Sequence, residues 1–163
     1  MLVSGVTGST KTNTLEDVLL YSMTYKSRIE GQNNGMGAKV YLIDGKGADL
    51  ASLKILHPAV TPNQAARTLR ILTKNMHNRY THFSGEFGKT ASDYEVNGKH
   101  VRDIVVIIDE LAVLLNDPKL RSEILRYLFE LLIAARQASI YVSPFGAKRS
   151  CWNSTAICRN SPS

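Results

Sequence analysis

Apolar residues recur along the chain with two periods. From Lys11 onward Leu15, Val18, Leu19 and Met23 stand at helical spacing, which predicts a helix starting at Lys11. A short strand, Met1 to Gly5, precedes it, and the polar, glycine-rich "GQNNGMG" (31–37) follows as a loop. Lys39 to Ile43 reads as a strand closed by Asp44 and two glycines. Thr61-Pro62 has the form of a helix start, a capping hydroxyl followed by proline at the first helical position. The helix it opens carries Ala65, Leu69, Leu72, Met76, Tyr80 and Phe83 on one side and Arg67, Arg70, Lys74 and His77 on the other.

"YEVNGKHV" (94–101) predicts a hairpin turning on Asn97-Gly98. The unalternating "IVVII" (104–108) predicts a strand buried on both faces. A last helix is expected over Lys119 to Arg136, with Leu120, Ile124, Leu125, Leu128, Leu131, Leu132 and Ala135 inward, followed by the strand "SIYV" (139–142). Strands alternating with helices define an α/β fold, a mainly parallel sheet flanked by helices. Periodicity ends at Val142. The chain therefore divides into an α/β region, 1–142, and an irregular tail, 143–163, rich in Ser, Asn and Cys.

Composition narrows the class. A chain of 163 residues with 44% hydrophobic and 21% charged residues is one ordinary globular domain and excludes disorder. No apolar run approaches a membrane span, and no secretory signal follows Met1, so the expected location is cytoplasmic. A formal net charge of +6 and a pI near 9.4 are compatible with a polyanionic partner without requiring one. Cys151 and Cys158 match no zinc spacing and read as incidental thiols.

The candidate chemistry begins at "GVTGSTKTNTL" (5–15). A phosphate-binding loop has the form G-x-x-x-x-G-K-[ST] between a strand and a helix, its backbone N–H groups facing phosphate oxygens. Gly5, Val6, Thr7, Gly8, Ser9, Thr10, Lys11 and Thr12 occupy that span, but Thr10 stands where the second glycine is expected. If that position needs a glycine-only conformation, threonine there costs about 1–3 kcal/mol or distorts the loop. Lys11 would reach the terminal phosphates of ATP and the Thr12 hydroxyl would hold Mg²⁺.

"IVVIIDEL" supplies the second half of such a site. An apolar strand projects Asp109 and Glu110 from its C-terminal end, the edge where open α/β sheets bind ligands. Asp109 is the candidate to hold Mg²⁺ through water, and Glu110 the candidate general base for the attacking water. The plainer alternative is an acidic cap for a following helix.

Taken with "YLIDGKGADL", "NRY" and "LLIAARQASIYV", these stretches resemble in order and spacing the FtsK/SpoIIIE family of DNA-translocating ATPases, over about residues 2–142. The resemblance implies a RecA-like P-loop NTPase core that binds ATP and Mg²⁺, assembles as a hexameric ring and moves double-stranded DNA in chromosome segregation or conjugative transfer. By position it makes Arg136 a candidate catalytic arginine facing a neighbour's nucleotide, against the plain reading of a solvated helix-end cation. It assigns Asp44 and Lys46 either to loop ordering or to contact with ATP. The Arg67–His77 stripe is open between DNA contact and a solvated face.

Relative to that family the fold is expected to be incomplete at both ends, lacking an upstream anchor and the later sheet strands. The loss of pattern after Val142 suggests a reading-frame shift, testable by translating the other two frames of the gene for a Q-R-P-like continuation. Two alternatives stand beside an active translocase ATPase. One is a non-catalytic remnant. The other is a small P-loop kinase, disfavoured because no arginine-rich lid is present.

Overall fold

The computed structural model describes residues 10–24, 37–47, 50–83 and 88–144. The expected strand Met1–Gly5, residues Gly5, Val6, Thr7, Gly8 and Ser9 of the loop, most of 31–37 and nearly all of the tail lie outside the described residues. In chain order the elements are α1 (Thr10–Thr24), β1 (Lys39–Asp44), α2 (Pro62–Phe83), β2 (Glu95–Val96), β3 (Lys99–His100), β4 (Ile104–Asp109), α3 (Leu111–Leu114), α4 (Arg121–Ala134) and β5 (Ile140–Pro144). Short 3₁₀ turns at Leu50–Ser52 and Lys54–Leu56 join β1 to α2.

Strands β1, β4 and β5 form a parallel sheet in the order β1-β4-β5. Lys39 pairs with Ile104 and Asp44 with Asp109, while Ile104 pairs with Ile140 and Ile108 with Pro144. The "IVVII" run is apolar throughout because both its faces are covered. Ile104, Val106 and Ile108 pack with the buried residues of α2 and α4. Ile107 packs with Leu15 and Leu19 of α1, Leu42 and Leu50. The α/β fold with a parallel sheet flanked by helices is therefore the one the periodicities predict.

Local departures from that expectation have physical reasons. Strand β5 runs two residues past Val142, and Pro144 is buried as it pairs alongside Ile108. α4 is shorter than Lys119–Arg136 because a turn built on Asp117, whose carboxylate accepts the Lys119 and Leu120 N–H groups, precedes it. Its buried face is Ile124, Leu128, Leu131 and Ala135, which turns Leu132 outward at 37% exposure. In α1, Leu15 and Leu19 are buried, but Met23 is 45% exposed beyond the sheet's edge residues. Phe83 leaves the core to stack on Tyr94. The four-residue α3 was too short to show a period, and sequence periodicity does not reveal it.

Helices α2 and α4 run parallel, as two crossovers between parallel strands require. Arg70 pairs with Glu123, and one heptad further on His77 pairs with Glu130 at 2.6 Å. These two members of the basic stripe thus face a neighbouring helix, whereas Arg67 and Lys74 are exposed.

Candidate functional site

The direction of α1 follows from its anchors. Its last turn is held at the N-terminal edge of the sheet, where the Ala38 N–H donates to the Ser22 carbonyl at 2.8 Å and Gly37 lies against Met23. Leu15 and Leu19 then track across Leu42 and Ile107. A fifteen-residue helix is about 22 Å long, so its N-terminus is carried to the C-terminal edge, where Asp44 and Asp109 end their strands. Thr10, Lys11 and Thr12 are its first three residues. Thr10 therefore has α-helical backbone, a conformation open to a β-branched residue without left-handed strain.

At that edge β4 runs into a strained turn. Glu110 has φ 48° and ψ 50°, a left-handed conformation uncommon for any residue but glycine. Its N–H donates to Asp109 Oδ1 at 2.9 Å, and its carbonyl accepts the Val113 N–H at 3.0 Å, which starts α3. The Glu110 side chain makes no capping hydrogen bond to that helix. A helix does follow Asp109–Glu110, but the carboxylate of Glu110 is not spent in capping it.

Asp44 is buried and its carboxylate is fully engaged with the loop that follows. Oδ1 accepts the N–H groups of Lys46 at 3.0 Å and Gly47 at 2.9 Å, and Oδ2 accepts that of Ala51 at 3.0 Å. Of the two roles open from the sequence, loop ordering is the one its hydrogen bonds carry out. Lys46 is exposed on the same loop.

Arg136 is elsewhere. It follows α4 and precedes β5, and its carbonyl accepts the Ser139 N–H beside the first residues of the sheet. Because the strands are parallel, about one strand length (roughly 16 Å) separates it from Asp109. There it lines an open groove with Tyr80, Lys89, Thr90 and Gln137.

That same N-terminal edge holds a polar network. Arg79 donates to the carbonyls of Ala138 at 2.7 Å, Ser139 at 3.3 Å and Arg102 at 2.8 Å, and Tyr80 donates to the Ala134 carbonyl. Burial lowers the Arg79 pKa, opposed by the nearby Asp103 carboxylate. Burial likewise raises the Asp103 pKa against the pull of Arg79 and Ser92, and one Asp103 oxygen is buried without a hydrogen-bond partner. The "NRY" stretch, visible in the sequence as a motif, is thus a clamp between α2 and the sheet. Its partners are backbone carbonyls, which leave no sequence signal.

Among the described residues no group of three His, Cys, Asp or Glu side chains is arranged to hold a metal ion. Such a cage is not what Mg²⁺ needs when phosphates share its coordination: one or two carboxylates and water suffice. The carboxylate of Asp109, at the C-terminal end of β4, fits that chemistry.

The chain shares its parallel α/β fold with a solved conjugation coupling protein and is similar in sequence to an FtsK domain-containing protein. That relative is YdcQ of Bacillus subtilis (strain 168), 27% identical over 155 residues, 91% of this chain and 29% of YdcQ. The solved structure is the pCW3 conjugation coupling protein TcpA, in its monomer form with ATPγS. It matches with a TM-score of 0.70 at 23% identity, over 89% of this chain and 41% of TcpA. The chain spans less than half the length of either protein. No family model matches it. Among the described residues no helix is long and apolar enough to cross a membrane.

Proposed function

We propose that the chain is the ATP-binding and hydrolysing region of an FtsK/SpoIIIE-type motor that moves double-stranded DNA, with conjugative transfer as its setting. The observation that carries this reading is Glu110: a carboxylate held in a strained turn at the C-terminal edge of a parallel sheet and not used to cap the helix it precedes. Strain of this kind, about 1–3 kcal/mol, persists where surrounding structure enforces it and is concentrated at functional sites. The likeness to TcpA, itself solved with ATPγS, supports ATP as the nucleotide.

In this reading the α1 N-terminus and the loop from Gly5 to Thr10 present backbone N–H groups to the phosphates. Lys11 neutralises the terminal phosphates. Thr12 and Asp109 hold Mg²⁺, which when bound neutralises charge on the phosphate oxygens. Glu110 orients a water and accepts its proton as the water oxygen attacks the γ-phosphorus; the bond to the β–γ bridging oxygen breaks, and ADP and phosphate leave. Arg136, at the opposite edge, serves a neighbouring copy's nucleotide in a hexameric ring. Arg67 and Lys74 are the stripe residues left to meet DNA phosphates. The motor works at the cytoplasmic face.

The helical backbone of Thr10 favours an active site over a remnant, because the departure from glycine brings no left-handed strain. ATP turnover with and without double-stranded DNA tests the proposal. Glu110→Gln is expected to keep Mg-ATP binding and to slow hydrolysis about 10²- to 10⁴-fold, the span of general-base contributions. Turnover indifferent to that substitution would refute it.

A further inference from the structure

The strained turn at Glu110 needs something to hold it, and one residue packed against it comes from the loop that follows β1. Gly45 follows β1 and extends the ladder by one bond, its N–H donating to the Asp109 carbonyl at 3.0 Å. A Cβ on Gly45 would lie 2.6 Å from the Glu110 carbonyl oxygen, 3.0 Å from Leu114 Cγ and 3.4 Å from the Asp109 carbonyl oxygen. The first of these is closer than carbon and oxygen tolerate, and Leu114 is buried with little room to give. Gly45 is absent from the residues with positive φ. The site requires glycine for space, not for backbone freedom.

The loop carrying Gly45 is fixed independently. Three N–H groups bonded to the Asp44 carboxylate, together with the Asp44 N–H donated to the Ala59 carbonyl at 2.9 Å, set its path over the Glu110 turn. Gly45 is thus pinned on one side and in contact with Glu110 on the other.

We propose that Gly45 is a positioning residue for Glu110: its bare Cα lets the β1 loop seat directly on the Glu110 carbonyl, locking the left-handed turn and the direction of the catalytic carboxylate. This rests on the reading of Glu110 as the base that activates water. Any side chain at Gly45 pushes the Glu110 carbonyl away and breaks its bond with the Val113 N–H.

Two measurements on the full chain test this. Hydrogen exchange reads the turn without reference to activity. Gly45→Ala should speed exchange at Val113 roughly five- to tenfold, the loss of about one net hydrogen bond, while amides in α2 stay protected. Unchanged Val113 exchange overturns the proposal. In ATP turnover Gly45→Ala should lower kcat about a hundredfold with KM within about twofold, since misplacement by about 1 Å has that cost. In a Glu110→Gln background the same change should add less than about twofold; a full additional loss there would show that Gly45 acts by another route.

If Gly45→Ala alone fails to fold, the pair Gly45→Ala/Glu110→Gly decides. Glycine at 110 frees the turn to move, so a cooperative unfolding transition should return. Its failure to return overturns the proposal. A wild-type chain without ATP turnover would refute the ATPase reading, and exchange at Val113 would still judge Gly45.

Discussion

Glu110, with its left-handed backbone, and Asp103, with a buried unpartnered oxygen, are two residues at which the fold departs from its own comfort, and each departure can be measured. Glycine at position 110 removes left-handed strain of about 1–3 kcal/mol at a backbone-entropy cost of about 0.5–1 kcal/mol. Glu110→Gly should therefore stabilise the chain by about 1 kcal/mol in urea unfolding while abolishing turnover. Loss of stability would mean the side chain, not the turn, matters to the fold.

Asp103 acts through pH. Burial raises its pKa, so the folded state holds the proton more tightly than the unfolded chain does. Its contribution to stability is complete at low pH and is lost as pH rises through that raised value. Asp103→Asn should gain stability relative to wild type as pH rises from about 4 towards neutral, and keep that gain above the raised value. Asp93 has the opposite sign. The Thr90 backbone and hydroxyl hold its pKa down, so its contribution is present at neutral pH and fades as pH falls through the lowered value. Asp93→Asn should destabilise at pH 7, and paired urea titrations across this range check both.

At the scale of elements, burial separates leucines that the sequence treats alike. Leu128 is fully buried between α2 and the sheet, while Leu132 is turned outward one residue past Leu131. Leu128→Ala should cost about 2–5 kcal/mol, and Leu132→Ala less than about 1 kcal/mol. Equal costs would mean that α4 is rotated from the position described.

The same contrast shows what a sequence can express. β4 was legible because a strand covered on both faces must be apolar at every position, and "IVVII" is. α2 was legible because Thr61-Pro62 marks its start and its inward residues hold their spacing down to Tyr80. The outward turn of Leu132 was not, because two adjacent leucines both satisfy a helical stripe. α3 has a single turn and no period. The clamp made by Arg79 spends a charged side chain on backbone carbonyls of residues more than twenty positions away, and no pattern of side chains records that.

Over the whole molecule, the candidate site gathers at one edge because β1, β4 and β5 run the same way. Asp44 and Asp109 end adjacent strands, Gly45 seats on Glu110, and α1 delivers its N-terminus to the same edge. The residue types for this chemistry were visible in "GSTKT" and "IIDEL". What was hidden was spatial: that Asp44 orders a loop, that Gly45 is needed for room, and that Arg136 lies at the far edge.

If this edge binds Mg-ATP, calorimetric titration of the full chain beside a Lys11→Ala control will show it. Saturable binding by the wild type that disappears in the control is the predicted result. A folded wild-type chain that takes up no Mg-ATP, or a control that binds equally well, would mean that this edge is not a nucleotide site.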